Sequence, residues 1–310
     1  MVERMTVVVP TTPIIGLYEE LHRKGVSREQ KLARARGFVA NPASLAVMFH
    51  DSVLRLATYK PADEGFYKSR KHYEVGDVKA SSTTDFALRV RDAGGLRPRP
   101  GGEATLLETE HLAAPGVLGV SAAALTCRYL DRELVATRTT GGATHEGTAV
   151  RLDLLLCNDT DRTPIIGEVK RTSDVNPLHP HHKPATDKDP FSALVQALAC
   201  AAQLSTLAQY GRLARRGRTE NRGKRDYPVM ADIAASDPPV FDVYVVLHNR
   251  PQGTHLPELG VEAERLAALL LARPTVARHV RRIACLLTKL DAGKLSAEAL
   301  WAYQRPEAQA

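Results

Sequence analysis

Aromatic residues are scarce in this sequence: Phe, Trp and Tyr make up 5% of 310 residues, with a single Trp. Rows of stacking rings of the kind that grip single-stranded nucleic acid are therefore not expected. Cysteine is equally sparse. Cys127, Cys157, Cys200 and Cys285 include no close pair, which argues against a zinc ribbon, a C-x-x-C redox site and a secreted disulfide framework. Free thiols in a reducing cytoplasm are the expectation. The one long charge-free window, residues 190–211, is Ala-rich and broken by Ser192, Gln196, Gln203, Ser205, Thr206 and Gln209, a poor fit to a membrane span. No targeting signal is read in residues 1–16, where Glu3 and Arg4 precede a short apolar stretch interrupted by Pro10 and Pro13. A cytoplasmic protein with no membrane partner is expected. There is no Gly-rich P-loop and no G-x-S-x-G elbow, which disfavours an ATPase or a serine hydrolase.

What is present is ordinary in bulk and uneven in charge. The 44% hydrophobic and 25% charged content fits a globular protein and excludes wholesale disorder. At roughly 150 residues per domain the chain holds one large domain or two modest ones. The net charge of +7 favours an anionic partner.

Along the chain, residues 16–37 read as one or two short basic helices and residues 42–59 as a more apolar one. Residues 92–102, with two Pro and four Gly, are the best linker candidate. This divides the chain into a basic, partly helical region, 1–102, and a larger domain, 103–310. Residues 103–113 and 121–134 look helical, the second running into a strand near 134–139. Residues 149–157 and 165–170 form two apolar strands around a turn rich in Asp and Thr. Asp189-Pro190 is a cap and first turn for a helix to about residue 210. A buried-type strand at 240–247, a helix at 262–272, a strand near 282–289 and a helical tail complete the order. Strands and helices mixed in this way predict an α/β fold, a central mixed sheet with helices on its faces.

Three residues stand out within the paired strands. If Asn158 and Thr163 flank the turn, counting outward from them sets Asp153 opposite Glu168, with Cβ atoms about 4.5–5.5 Å apart. Like charges directly opposite are destabilising, so the pair asks for a compensating cation. Strand alternation puts Lys170 on the face of Glu168 and Val169 on the other. Two hard oxygen ligands beside an ammonium suit Mg²⁺, with Mn²⁺ as a substitute. Glu-x-Lys alone carries no information, since solvated strand faces hold it often. An Asp at matching register inside apolar runs is less common.

These residues, Arg151-Leu-Asp-Leu-Leu-Leu156, then Pro164-Ile-Ile-Gly-Glu-Val-Lys170, then a helix containing Gln196, resemble the PD-(D/E)XK nuclease superfamily. The resemblance covers residues 134–250. It implies a restriction-endonuclease-like core with a helical N-terminal extension. It further implies that Asp153, Glu168 and the Val169 carbonyl bind Mg²⁺, and that Lys170 positions or activates water. Leu152 stands where the superfamily commonly has Pro. An additional upstream acid is often present there, and Glu108, Glu110 and Glu133 are unranked candidates.

Around this centre, Gln196 shares a helix face with Cys200 and Gln203; it either projects toward the site or a phosphate, or makes a local hydrogen bond. Residues 212–226 carry seven basic against two acidic residues, a net +5. Arg215, Arg216 and Arg218 there are candidates for phosphate contact, against a merely solvated loop. His179, His181 and His182 read as an exposed Pro-rich loop rather than a metal site, and His248-Asn249-Arg250 carries little specificity. The expected activity is metal-dependent hydrolysis of phosphodiesters, with DNA ahead of RNA. The alternative is a non-catalytic nucleic-acid-binding or scaffold protein on the same fold.

Overall fold

A computed structural model describes residues 14–23, 25–57, 60–61, 82–100, 114–135, 138–140, 143–144, 151–171, 189–207, 210, 233–234, 236–248 and 257–306. The chain runs through helices α1 (Ile14–His22), α2 (Arg28–Ala40) and α3 (Pro42–Ala57), strand β1 (Lys60–Pro61) and helix α4 (Ser82–Asp92). Strands β2 (Pro98–Pro100), β3 (Leu118–Gly119), β4 (Cys127–Val135), β5 (Arg138–Thr140) and β6 (Ala143–Thr144) lead to a hairpin of β7 (Arg151–Asn158) and β8 (Pro164–Arg171). Helix α5 (Pro190–Leu204), strand β9 (Phe241–His248), helices α6 (Pro257–Leu271) and α7 (Pro274–Ala277), and a second hairpin, β10 (Val280–Asp291) and β11 (Lys294–Gln304), follow.

The main sheet has the order β2-β11-β10-β9-β8-β7-β4, with β3 also against β11; β1, β5 and β6 form a small separate sheet. At its centre β8, β9 and β10 are parallel. Parallel neighbours need crossovers, and α5 and α6 lie between them in the chain. The two hairpins extend this core with antiparallel strands on either side. Strand β9 is buried along its whole length, as a strand covered on both faces must be.

One face carries an apolar cluster in which Ile14, Leu17, Leu45 and Phe49 of the first three helices meet Phe191 and Leu194 of α5, Leu266 of α6 and Val245 of β9. The other face packs Phe86 and Val90 of α4 against Leu154, Ile165, Val169 and Tyr244. The α/β class and the flanking helices are thus as the sequence predicts. Helices from the first hundred residues and elements from beyond residue 103 share one core cluster. Among the described residues no helix is long and apolar enough to cross a membrane. The four cysteines are buried thiols with no disulfide.

Three segments differ from the sequence reading. Residues 121–134 are not helical: a single 3-10 turn, Ala122–Leu125, gives way to β4. The C-terminal tail is β11, paired antiparallel with β10. A tight turn folds it back, with φ of 47° at Ala292 and 82° at Gly293, the left-handed geometry that two-residue hairpin loops demand. The linker candidate is part of the fold as far as residue 100. Leu96 bridges Cys127, and a Cβ on Gly95 would meet the Cys127 carbonyl at 2.0 Å, so the close approach needs glycine. Pro98 and Pro100 sit on the edge strand β2, where a missing N–H is tolerated.

Candidate functional site

The site begins with a turn. The Asn158 N–H donates to the Thr163 carbonyl at 2.9 Å, and the Asn158 side-chain oxygen accepts from Thr160 N at 2.9 Å. This local Asx geometry closes the loop and sets the β7–β8 register, Cys157 opposite Pro164, Leu156 opposite Ile165 and Leu154 opposite Gly167. The ladder pairing ends there, and Asp153 and Glu168 are the next residues along the two strands. The two strands are tied there as well, since the Val169 N–H donates to Asp153 Oδ2 at 2.9 Å. Glu168 and Lys170 lie on the face of Ile166 and α5, whereas Val169 packs in the opposite cluster.

Glu168 is 1% exposed. Burial first, and then the neighbouring Asp153 carboxylate, push its pKa well above the usual carboxylate value. Lys170 Nζ donates to Glu168 Oε1 at 2.6 Å and to Gln196 Oε1 at 2.8 Å. Burial works to lower the Lys170 pKa, but the Glu168 and Asp153 carboxylates outweigh it and hold the ammonium above its ordinary range. Lys170 is a cation here. Glu168 Oε2 is buried and has no hydrogen-bond partner among the described residues, in keeping with the pressure on this carboxyl toward its protonated form.

Helix α5 brings Gln196 to this place. Its start is fixed by Asp189, whose carboxylate accepts from Ser192 N and from Ser192 Oγ at 2.8 Å. Pro190 fills the first turn, where its missing N–H costs nothing. Lys31 of α2 lies 3.5 Å from Asp189, both side chains buried. Every residue of α5 is buried, which explains its mostly small, apolar composition. Gln196 uses its Oε1 to accept from Lys170, across to β8. Cys200, one turn further on, has its pKa raised well above the thiol norm by burial, with Glu168 and Asp153 adding to it; a thiol held protonated is no nucleophile.

Tyr18 of α1 is a neighbour that the sequence did not reveal. Burial raises its pKa to about 12, Lys170 pulling down and Glu168, Cys200 and Asp153 pushing up, and its ring meets His22 edge-on at 4.3 Å. No sequence signal links a residue on an amphipathic helix to strands 135 positions later.

The structure thus brings together Asp153, Glu168, Lys170 and Gln196. Arg215, Arg216, Arg218, His179, His181 and His182 lie outside the described residues, as do Glu108, Glu110, Asn249 and Arg250. His248 is buried on the other face, with Nδ1 3.0 Å from Thr288 Oγ1 and its ring against Phe86; it is a core histidine. Among the described residues, no group of three or more His, Cys, Asp or Glu side chains is placed to hold a metal ion. No family model, curated protein or solved structure matches the chain.

Proposed function

We propose that this chain is a divalent-metal-dependent nuclease with a restriction-endonuclease-like core, acting on DNA ahead of RNA. The observation that carries the reading is the buried Glu168 carboxyl beside Asp153, with Oε1 on Lys170 and Oε2 without a hydrogen-bond partner among the described residues. Burial and the Asp153 carboxylate press Glu168 toward its protonated form, and a hard divalent cation is a partner that fits two such oxygens in place of the proton. Asp153, Glu168 and the Val169 carbonyl would hold Mg²⁺ or Mn²⁺. When bound, the ion polarises a phosphoryl oxygen and lowers the pKa of an attacking water.

The chain's own residues supply the rest. The Val169 N–H fixes the Asp153 carboxylate beside Glu168. Lys170 remains an ammonium, so it donates hydrogen bonds and stabilises negative charge on the phosphate rather than removing a proton. Gln196 accepts from Lys170 and aims it, a positioning role. The basic segment at 212–226 provides phosphate contacts that are indifferent to base sequence.

The test is incubation of supercoiled plasmid, linear duplex, single-stranded DNA and RNA with the full-length protein in Mg²⁺, Mn²⁺ or EDTA. Metal-dependent cleavage of DNA supports the proposal. Binding of nucleic acid without cleavage in either metal supports the non-catalytic alternative instead.

A further inference from the structure

Helix α1 sets one more polar group beside the carboxylate pair. Ile14, Leu17 and Leu21 recur at helical spacing and are buried, which lays the helix on the core. It packs against α5, the helix that carries Gln196 and Cys200. Tyr18 follows Leu17 at the rim of this buried stripe. It is half-buried, packs against the same cluster and meets the His22 ring edge-on at 4.3 Å. The Tyr18 phenol and the Lys170 ammonium act on each other, and Asp153, Glu168 and Cys200 act on the phenol as well. Groups from α1, β7, β8 and α5 thus meet at one place. A tyrosine inside a protein usually gives its hydroxyl a partner. Tyr303 donates to Glu264 at 2.6 Å, and Tyr210 and Tyr244 donate to backbone carbonyls. The Tyr18 hydroxyl has no hydrogen-bond partner among the described residues.

We infer that the Tyr18 hydroxyl is a substrate contact, donating to a non-bridging oxygen of the phosphate held at Asp153 and Glu168. The inference rests on the nuclease reading and adds a donor to it. The site is rich in acceptors and short of donors. Lys170 Nζ carries three protons, and Glu168 Oε1 and Gln196 Oε1 already take two of them. One is left for a phosphate group whose oxygens gain charge in the transition state. A phenol beside the ammonium meets that shortage. Burial outweighs the pull of Lys170 and raises the phenol pKa to about 12. Near neutrality Tyr18 is therefore a hydrogen-bond donor, and neither a base nor a tyrosinate nucleophile. The ring has two plainer uses, packing against the core and stacking on a base. Neither of them needs the hydroxyl.

The measurement is single-turnover cleavage of duplex DNA by saturating full-length protein in Mg²⁺, with duplex affinity in EDTA and thermal melting recorded alongside. Tyr18→Phe keeps the ring and removes only the hydroxyl. It is expected to slow cleavage roughly ten- to a hundredfold, the worth of a hydrogen bond to a charged group, while affinity in EDTA and melting temperature stay parental. Tyr18→Leu should slow cleavage to the same extent. Tyr210→Phe, whose hydroxyl is spent on the Ala234 carbonyl, should cleave at the parental rate. Parental cleavage by Tyr18→Phe overturns the inference and leaves the nuclease reading standing. If, in addition, Tyr18→Leu alone weakens duplex binding, the ring is a stacking platform and the hydroxyl contact is again overturned. A clearly lower melting temperature of Tyr18→Phe shows that the fold itself uses the hydroxyl, which also overturns the inference. A parent that cleaves neither DNA nor RNA in Mg²⁺ or Mn²⁺ overturns the nuclease reading, and this inference with it.

Discussion

Replacing Lys170 by Met leaves a buried carboxylate without its cation, and the size of the consequence follows from the geometry. At the 2.6 Å separation of Nζ and Glu168 Oε1, the gross attraction is about 6 kcal/mol at an effective dielectric constant near 20. Desolvation of both groups offsets much of it, and breaking a buried pair costs about 3–5 kcal/mol. The Lys170 side chain keeps 13% of its exposure, so about 3 kcal/mol is expected, within the stability of an ordinary domain. The loss depends on pH. A carboxyl whose pKa is raised on folding, as that of Glu168 is, stabilises the fold while protonated and loses that contribution as pH rises through its folded value. Without Lys170 the folded value climbs further. The deficit of Lys170→Met should therefore open toward alkaline pH and close as Glu168 is protonated, which in the fold occurs well above the usual carboxylate range. A bound divalent cation should refill the gap, by about 2.7 kcal/mol when its concentration is 100 times Kd. Urea unfolding at acid and alkaline pH, with EDTA and with Mg²⁺, measures all three effects. A variant as stable as the parent at alkaline pH, or equally destabilised at both, would refute the reasoning.

Three other outcomes follow from the same structure. Lys170→Arg preserves charge and cannot act as a base near neutrality, so it should keep measurable turnover where Lys170→Met loses nearly all; equal loss in both, by single-turnover cleavage, would return a proton-transfer role to Lys170. Asp189→Ala removes the α5 cap and the ion pair to buried Lys31, and should cost about 2 kcal/mol or more in urea unfolding, with a loss under about 1 kcal/mol contradicting the account of how α5 is anchored. Changing Arg215, Arg216 and Arg218 together to Ala should flatten the slope of log duplex-DNA affinity against log salt by roughly 0.9 for each phosphate no longer neutralised, while turnover at saturating DNA changes little; an unchanged slope makes the segment a solvated loop.

The hairpin was legible where local chemistry dominates. Turn residues Asn158 to Thr163 and the apolar runs on either side fix a register that the structure carries as far as Leu154 opposite Gly167, one residue short of Asp153 and Glu168. The start of α5 was legible in the same way, from Asp189 and Pro190. Elsewhere local composition misled. Residues 121–134 combine Ala, Leu and charged residues as helices do, yet Cys127 and Tyr129 are buried on one face of an edge strand, and tertiary pairing overrides propensity. The tail is rich in Ala, Leu and Glu, strong helix formers, but the Ala292–Gly293 turn returns it along β10. The apparent linker failed because Pro and Gly mark edges and close approaches as well as loops. Tyr18 was out of reach for a different reason: its surroundings depend on which distant elements become neighbours, and no single segment encodes that.

The most direct test of the central claim compares the parent with Asp153→Asn on duplex DNA. Cleavage is measured in Mg²⁺ and binding is measured separately in EDTA. The account predicts Mg²⁺-dependent cleavage by the parent, at least a thousandfold loss in Asp153→Asn, and binding in EDTA that is the same for both. Undiminished Mg²⁺-dependent cleavage by Asp153→Asn would contradict it.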